Sequence, residues 1–144
     1  MSFETRFPVR FGDVDHARVV YLPRYFHMFH QTLEEWFGKE LGMAYSHIVG
    51  ERDIGFPTVH ADASFRHPLR YGDIVVASLC VQNMTARTLV CSYVLAREHD
   101  RLVAAEAVIT AACVRNETFR SIAIPADIRT RIETYVDGQR EASG

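Results

Sequence analysis

Nothing in this chain pairs its cysteines. Only three occur, Cys80, Cys91 and Cys113, each alone in a β-like run. That spacing is neither a disulfide framework nor a zinc pattern. Each reads as a small buried hydrophobe rather than a nucleophile, and no Cys/His/acid set points to thiol catalysis. An excess of either charge is also missing: 16 basic residues against 18 acidic ones leave a formal charge of −2. With no basic block, nucleic-acid binding is unsupported, while a local patch for a phosphate remains open. No Gly-rich phosphate loop is present, which argues against NAD or ATP. No apolar run is long enough to span a bilayer, since Leu102 to Val114 is short and interrupted by Glu106. Residues 1–10 alternate apolar and polar positions and hold no signal-peptide core. The expectation is a cytoplasmic protein without a membrane segment, internal repeat or linker.

What is present is an ordinary globular composition, 48% hydrophobic and 24% charged over 144 residues, which fits one domain. Phe3, Thr5, Phe7, Val9 and Phe11 alternate, as a strand requires. From Pro23 to about Leu41 the period changes. Leu22, Phe26, Phe29, Leu33, Trp36 or Phe37, and Leu41 recur at three- and four-residue steps, with Tyr25 and Met28 widening the apolar stripe. A long helix follows, buried over more than half its circumference, with Gly42 as its stop. A short helical piece is expected over residues 44–49. Strand-like runs cover residues 58–67, 73–84, 87–97 and 102–114, with a polar hairpin at Glu98-His99-Asp100-Arg101 and a short strand over residues 119–124. Pro125 starts an amphipathic helix running to Val136, and residues 138–144, small and polar, read as a loose tail. One long helix with several antiparallel strands makes the fold class α+β. The Ala-rich run at Ala104, Ala105, Ala107, Ala111 and Ala112 lets a neighbour pack close. An uncovered strand edge calls for a partner subunit.

The residues that carry chemistry gather before the long helix, in Phe11-Gly12-Asp13-Val14-Asp15-His16-Ala17-Arg18-Val19-Val20-Tyr21-Leu22-Pro23. A carboxylate stands just upstream of a helix N-terminus, where unpaired N–H groups and a partial positive charge can hold an oxyanion. Pro23 suits the first helical turn, where its missing N–H costs nothing. Asp13 and Asp15 share a face if the segment is extended, and a simple cap is the ordinary role of an Asp here.

The pattern Asp13-x-Asp15-x-x-x-x-Val20-Tyr21-x-Pro23-x-Tyr25-Phe26 resembles the opening of hotdog-fold acyl-CoA thioesterases, the group typified by 4-hydroxybenzoyl-CoA thioesterase. Gly55-Phe56-Pro57-Thr58-Val59-His60-Ala61-Asp62-Ala63-Ser64-Phe65 and His67-Pro68-Leu69-Arg70-Tyr71-Gly72-Asp73 extend the resemblance over most of the chain. It implies a curved sheet around one central helix, filling residues 1–137, and a homodimer or a dimer of dimers. It implies an acyl-CoA substrate, first of all a benzoyl-type one, and no cofactor apart from the coenzyme A of that substrate. It also implies Asp15 as the catalytic acid, attacking the thioester or activating water, with Asp13 orienting the loop and the Leu22 backbone N–H holding the oxyanion. Tyr21 and Tyr25 become candidates for the acyl pocket, although aromatics at this spacing are more often core. Arg87 and Arg120 become candidates for the nucleotide phosphates, with Arg70 as a weaker third. Arg18 is a departure, standing where the family usually has Gly. His16, His27, His30, His60 and Asp62 form no HExxH-type pattern, so no metal site is expected. A hotdog hydratase or dehydratase, and a non-catalytic acyl-CoA sensor, are the competing readings.

Overall fold

The computed structural model describes residues 2–143. In chain order the elements are β1 (Phe3–Pro8), α1 (Leu22–Lys39), α2 (Tyr45–Gly50), β2 (Ile54–Gly55), β3 (Thr58–Phe65), β4 (Ile74–Met84), β5 (Thr88–Arg97), β6 (Val103–Ala112), β7 (Val114–Arg115), β8 (Arg120–Ser121) and α3 (Ala126–Ser143), with a 3-10 turn at Phe11–Asp13. Five strands form an antiparallel sheet in the order β1-β4-β5-β6-β3, and β2, β7 and β8 make a small second sheet.

Period-two burial sets which sheet face meets α1. Leu89, Cys91, Tyr93 and Leu95 of β5 and Ala105, Ala107, Ile109 and Ala111 of β6 are all buried in one core with the helix. Burial pushes the Cys91 thiol up to about 12 and that of Cys113 up to about 11, so both stay protonated and act as apolar packing. Phe29, Trp36 and Phe37 of α1 are fully enclosed, and Phe29 stacks at 5.5 Å on Tyr93. Removing each such side chain from water is worth roughly 1.5–3 kcal/mol. The small alanines of β6 leave room for these rings. Gly42 ends α1 with φ +67°, and a Cβ there would sit 3.0 Å from Arg131. That guanidinium instead donates to the Leu41 carbonyl at 2.7 Å.

The larger departures from the sequence reading are three. β1 stops at Pro8 rather than Phe11, because the chain turns into the 3-10 segment, which the Asp13 carboxylate holds by accepting the Arg10 N–H at 2.8 Å. Phe11 is therefore 76% exposed. The strand expected over residues 119–124 shrinks to Arg120–Ser121. Residues 138–143, expected as a loose tail, continue α3 as helix. Gly138 weakens a helix by about 1 kcal/mol, but the middle of α3 is held against the last turn of α1, Tyr135 meeting Trp36 at 5.4 Å.

β3 closes the sheet on one side. Among the described residues it pairs only with β6, and its residues are exposed throughout except for half-buried Ala63. Val59 is 58% exposed there.

Candidate active site

The segment from Asp13 to Tyr21 is a tight ribbon. The Tyr21 N–H donates to the Asp13 carbonyl at 3.3 Å and the Asp15 N–H to the Val19 carbonyl at 3.1 Å, with Val14 bridged to Val20 between them. At the tip, the Arg18 N–H donates to the Asp15 carbonyl at 2.9 Å, and Asp15 Oδ1 accepts the Ala17 N–H at 2.8 Å. This is the local side-chain-to-backbone turn that Asp favours. One carboxylate oxygen of Asp15 thus fixes the side chain, and among the described residues the other has no partner. Asp15 is exposed. The Val20 N–H donates to the Leu69 carbonyl at 2.8 Å, and Val19 bridges to Arg70, docking the ribbon onto the loop after β3.

Asp13 has a different environment. It is half-buried, accepts the Arg10 N–H, and lies 3.8 Å from Arg24 Nε in the first turn of α1. Both its oxygens face groups that tie the ribbon to its two neighbours. Arg18 has φ 65°, a left-handed conformation that costs a residue with a Cβ about 1 kcal/mol. The arginine therefore takes the conformation for which a glycine would be the relaxed choice.

The start of α1 is open to a ligand. Tyr21 is its extended N-cap, no side chain caps the end, and no acid sits in the first turn. Pro23 has no N–H, and the Arg24 N–H is taken by the Tyr21 carbonyl at 3.0 Å. Among the described residues the Leu22 N–H has no partner, so it is the donor left free at the positive end of an 18-residue helix. Beside it lies an open cavity of about 310 Å³, lined by Val20, Leu22, Tyr25, Phe65, Arg66, His67 and Pro68. Tyr25 is buried, edge-on to Phe65 at 5.1 Å. Burial pushes its phenol up, opposed by the Leu69 backbone. Tyr21 is 39% exposed and does not line this cavity.

Phe65 and His67 received no role from the sequence. The signal was available, since both fall in the segments that extend the family resemblance, but nothing local says that the end of β3 reaches the start of α1. His67 Nδ1 lies 3.0 Å from the Val103 carbonyl. A carbonyl only accepts, so Nδ1 is the donor in this contact.

Arg87 and Arg120 come together elsewhere. Arg87 Nη1 donates to the Ser121 carbonyl at 2.7 Å, next to Arg120, which pairs in register with Arg115. Both are exposed, and among the described residues neither has a carboxylate within ion-pair distance. The ladder register gives their position. Phe65 lies opposite Ala105 and Thr58 opposite Ala111, while Thr88 lies opposite Ala112. The arginines thus sit at the Thr58 end and the cavity at the Phe65 end. At about 3.3 Å per residue, the six steps between Ala105 and Ala111 span roughly 20 Å. One chain does not bring Arg87 and Arg120 to Asp15.

A family model described as the Thioesterase-like superfamily matches residues 9–132. The chain belongs to that superfamily. Among the relatives of this superfamily member, a 1,4-dihydroxy-2-naphthoyl-CoA hydrolase from Synechocystis is 26% identical over 124 residues, 86% of this chain and 89% of the relative. The long-chain acyl-CoA thioesterase FadM of Escherichia coli is 25% identical, over 74% of this chain and 81% of its own length. A 4-hydroxybenzoyl CoA thioesterase, solved as an Asp-to-Asn variant with 4-hydroxybenzoyl CoA, superposes with a TM-score of 0.80 at 26% identity, covering 90% of this chain and 97% of that one. The sheet and its central helix are a hotdog fold. Among the described residues of this thioesterase-superfamily chain, no group of three His, Cys, Asp or Glu could hold a metal ion. Among the described residues no helix is long and apolar enough to cross a membrane.

Proposed function

We propose that the chain hydrolyses an aromatic, benzoyl-type acyl-CoA to the free acid and coenzyme A, with Asp15 as the reacting carboxylate and the Leu22 N–H as the oxyanion donor. The broader class, acyl-CoA thioester hydrolysis, is that of its relatives and superfamily. The observation that carries the finer reading is the contrast between two carboxylates on one ribbon. Asp13 has a hydrogen bond on one oxygen and an arginine at 3.8 Å from the other, whereas Asp15 keeps one oxygen free on the ribbon that leads into a helix end with an unsatisfied donor.

The chemistry follows from that pairing. Asp15 either attacks the thioester carbon, giving an anhydride that water then opens, or takes a proton from the water that attacks. In both routes the carbonyl oxygen gains negative charge, which the Leu22 N–H and the α1 dipole stabilise. The coenzyme A thiolate leaves and is protonated. Tyr25 and Phe65, which line the cavity, offer aromatic surface to the acyl group.

The nucleotide needs cations at a distance from the carbonyl, and Arg87 with Arg120 supplies them from the far end of the sheet. A homodimer resolves the roughly 20 Å separation. If exposed β3 pairs antiparallel with its two-fold copy, the Thr58 end of one chain meets the Phe65 end of the other. Arg87 and Arg120 of the partner subunit then face this chain's cavity. Pairing also covers the unpaired strand edge. Sedimentation at micromolar protein should show a species of at least twice the 16.4 kDa chain mass; a monomer would rule this assembly out.

Two measurements test the reaction. A panel of aromatic and long-chain acyl-CoAs, followed by free-thiol release, should show fastest turnover on an aromatic substrate. Asp15→Asn is nearly isosteric, so the fold and KM should hold while kcat falls at least ~100-fold. Asp13→Asn should cost less, through a loosened ribbon. Near-wild-type turnover in Asp15→Asn, or the heavier loss in Asp13→Asn, would assign the chemistry to the wrong carboxylate.

A further inference from the structure

The cavity beside α1 has one side chain in its wall that can take a proton near neutral pH, and the reaction above gives it no task. Of the seven residues that line the cavity, Val20, Leu22, Phe65 and Pro68 have apolar side chains. Burial pushes the Tyr25 phenol up, which keeps it protonated. Arg66 is a permanent cation, and its Nε donates to the Glu106 carboxylate at 3.0 Å. The seventh is His67, and imidazole is the side-chain type whose proton moves in this range.

Backbone pairing brings that imidazole to the helix end. Val19 bridges antiparallel to Arg70, and the Val20 N–H donates to the Leu69 carbonyl at 2.8 Å. Continued in that register, the residue opposite Leu22 is His67, and both line the cavity. A thioester whose oxygen is held by the Leu22 N–H therefore enters a space walled by the imidazole. The ring is also held. The His67 N–H donates to the Ala104 carbonyl at 3.4 Å, and Nδ1 donates to the Val103 carbonyl at 3.0 Å. Among the described residues Nε2 has no partner. A base oriented by a third group is a recurring catalytic arrangement. No hydrogen bond joins His67 to Asp15 among the described residues, so the two are not a dyad. That leaves His67 to act on a third body, water.

We propose that His67 is a further catalytic residue, the general base for the water that completes hydrolysis. The proposal rests on the hydrolase reading above and selects between its two routes. Asp15 attacks the thioester carbon and the thiolate leaves, which gives the anhydride. Water then attacks the acyl carbon while His67 Nε2 takes one of its protons. The bond from that carbon to the Asp15 oxygen breaks, and its electron pair restores the carboxylate. The free acid departs and the imidazolium gives its proton to solvent. Asp15 cannot be the base in this step, because its carboxylate is the group being released.

The test separates the two halves of the reaction. His67→Asn removes the base and keeps the anchor, since an asparagine amide can still donate to the Val103 carbonyl. His67 is exposed, so the melting temperature should stay near that of wild type. Rapid-quench kinetics on the fastest acyl-CoA of the panel then follow free thiol and free acid separately. His67→Asn should release one equivalent of thiol per site at the wild-type rate. Acid release should then fall about 100-fold, the scale of a lost general base. The quenched variant should gain the mass of the acyl group on the peptide that holds Asp15. His67→Gln should show the same split.

Thiol and acid release that fall together in both variants, with no burst and no acylated protein, would overturn the proposal. So would wild-type turnover in either variant. If wild type itself releases thiol from no acyl-CoA, the hydrolase reading fails and takes the proposal with it. If wild type turns over and the variants show no split, the assignment of His67 fails alone.

Discussion

The two long helices begin at opposite ends of the sheet, and their first turns differ. Each has 18 residues and a proline at or just before its start. At α1 the end is left open: no acid, no side-chain cap, and a Leu22 N–H without a partner among the described residues. At α3 the end is closed. Asp127 sits in its first turn and accepts two bonds from the Arg52 guanidinium, at 2.6 and 2.9 Å. Arg52 holds the Asp127 carboxyl below its ordinary value, burial opposing. Two equal dipoles are thus put to different uses. One is neutralised and serves stability, with Arg87 and Arg120 left free nearby. The other is unsatisfied and faces a cavity.

The sharpest way to break this contrast is to close the open end. Leu22→Pro removes this donor at a position where proline fits a helix start. Helix content should persist, and kcat on the best acyl-CoA should drop by about 100-fold or more, the scale of one lost oxyanion donor. Unchanged turnover in a folded variant would mean that the dipole end is not part of the reaction.

The other end should respond in binding instead of rate. Arg87→Ala and Arg120→Ala should each raise KM by up to about tenfold with little change in kcat, since the contacts are far from the reacting carbon and part-exposed. Steady-state kinetics on an acyl-CoA with its 3′-phosphate checks this, and a kcat loss without a KM change in both would remove them from the nucleotide site. The smallest effect belongs to the closed end. Asp127 is depressed in the folded state, so its contribution is present above the ordinary carboxylate value and fades as pH falls through the depressed one. Asp127→Asn should therefore lower stability by under about 1 kcal/mol at neutral pH and by nothing in strong acid, as urea melts at the two pH values would show.

Local rules made much of this readable. The three- and four-residue apolar steps mark α1, alternation marks β1 and β5, strand-like runs mark β4 and β6, and Pro23 marks the first helical turn. Asp13 as a loop anchor was also readable, because its partners Arg10 and Arg24 lie close in sequence. The segment from Gly138 misled for the same reason: its small, polar residues read locally as loose, while the contact of Tyr135 with Trp36 anchors the helix just before it.

The sequence by itself determined most of the elements, the carboxylates just upstream of the long helix, and the place where that helix starts. These depend on side chains acting on backbone within a few residues, and such interactions travel with the segment. Only the tertiary structure decided which distant residues meet. The β3–β6 register carries Phe65 and His67 to the mouth of α1, and it sets Arg87 and Arg120 at the other end of the sheet. Strand register is a pairing of remote segments, satisfied by backbone bonds that every residue can make, so no single segment encodes it. The same holds for Arg52, whose bond to Asp127 closes one helix end and leaves the other as the open one.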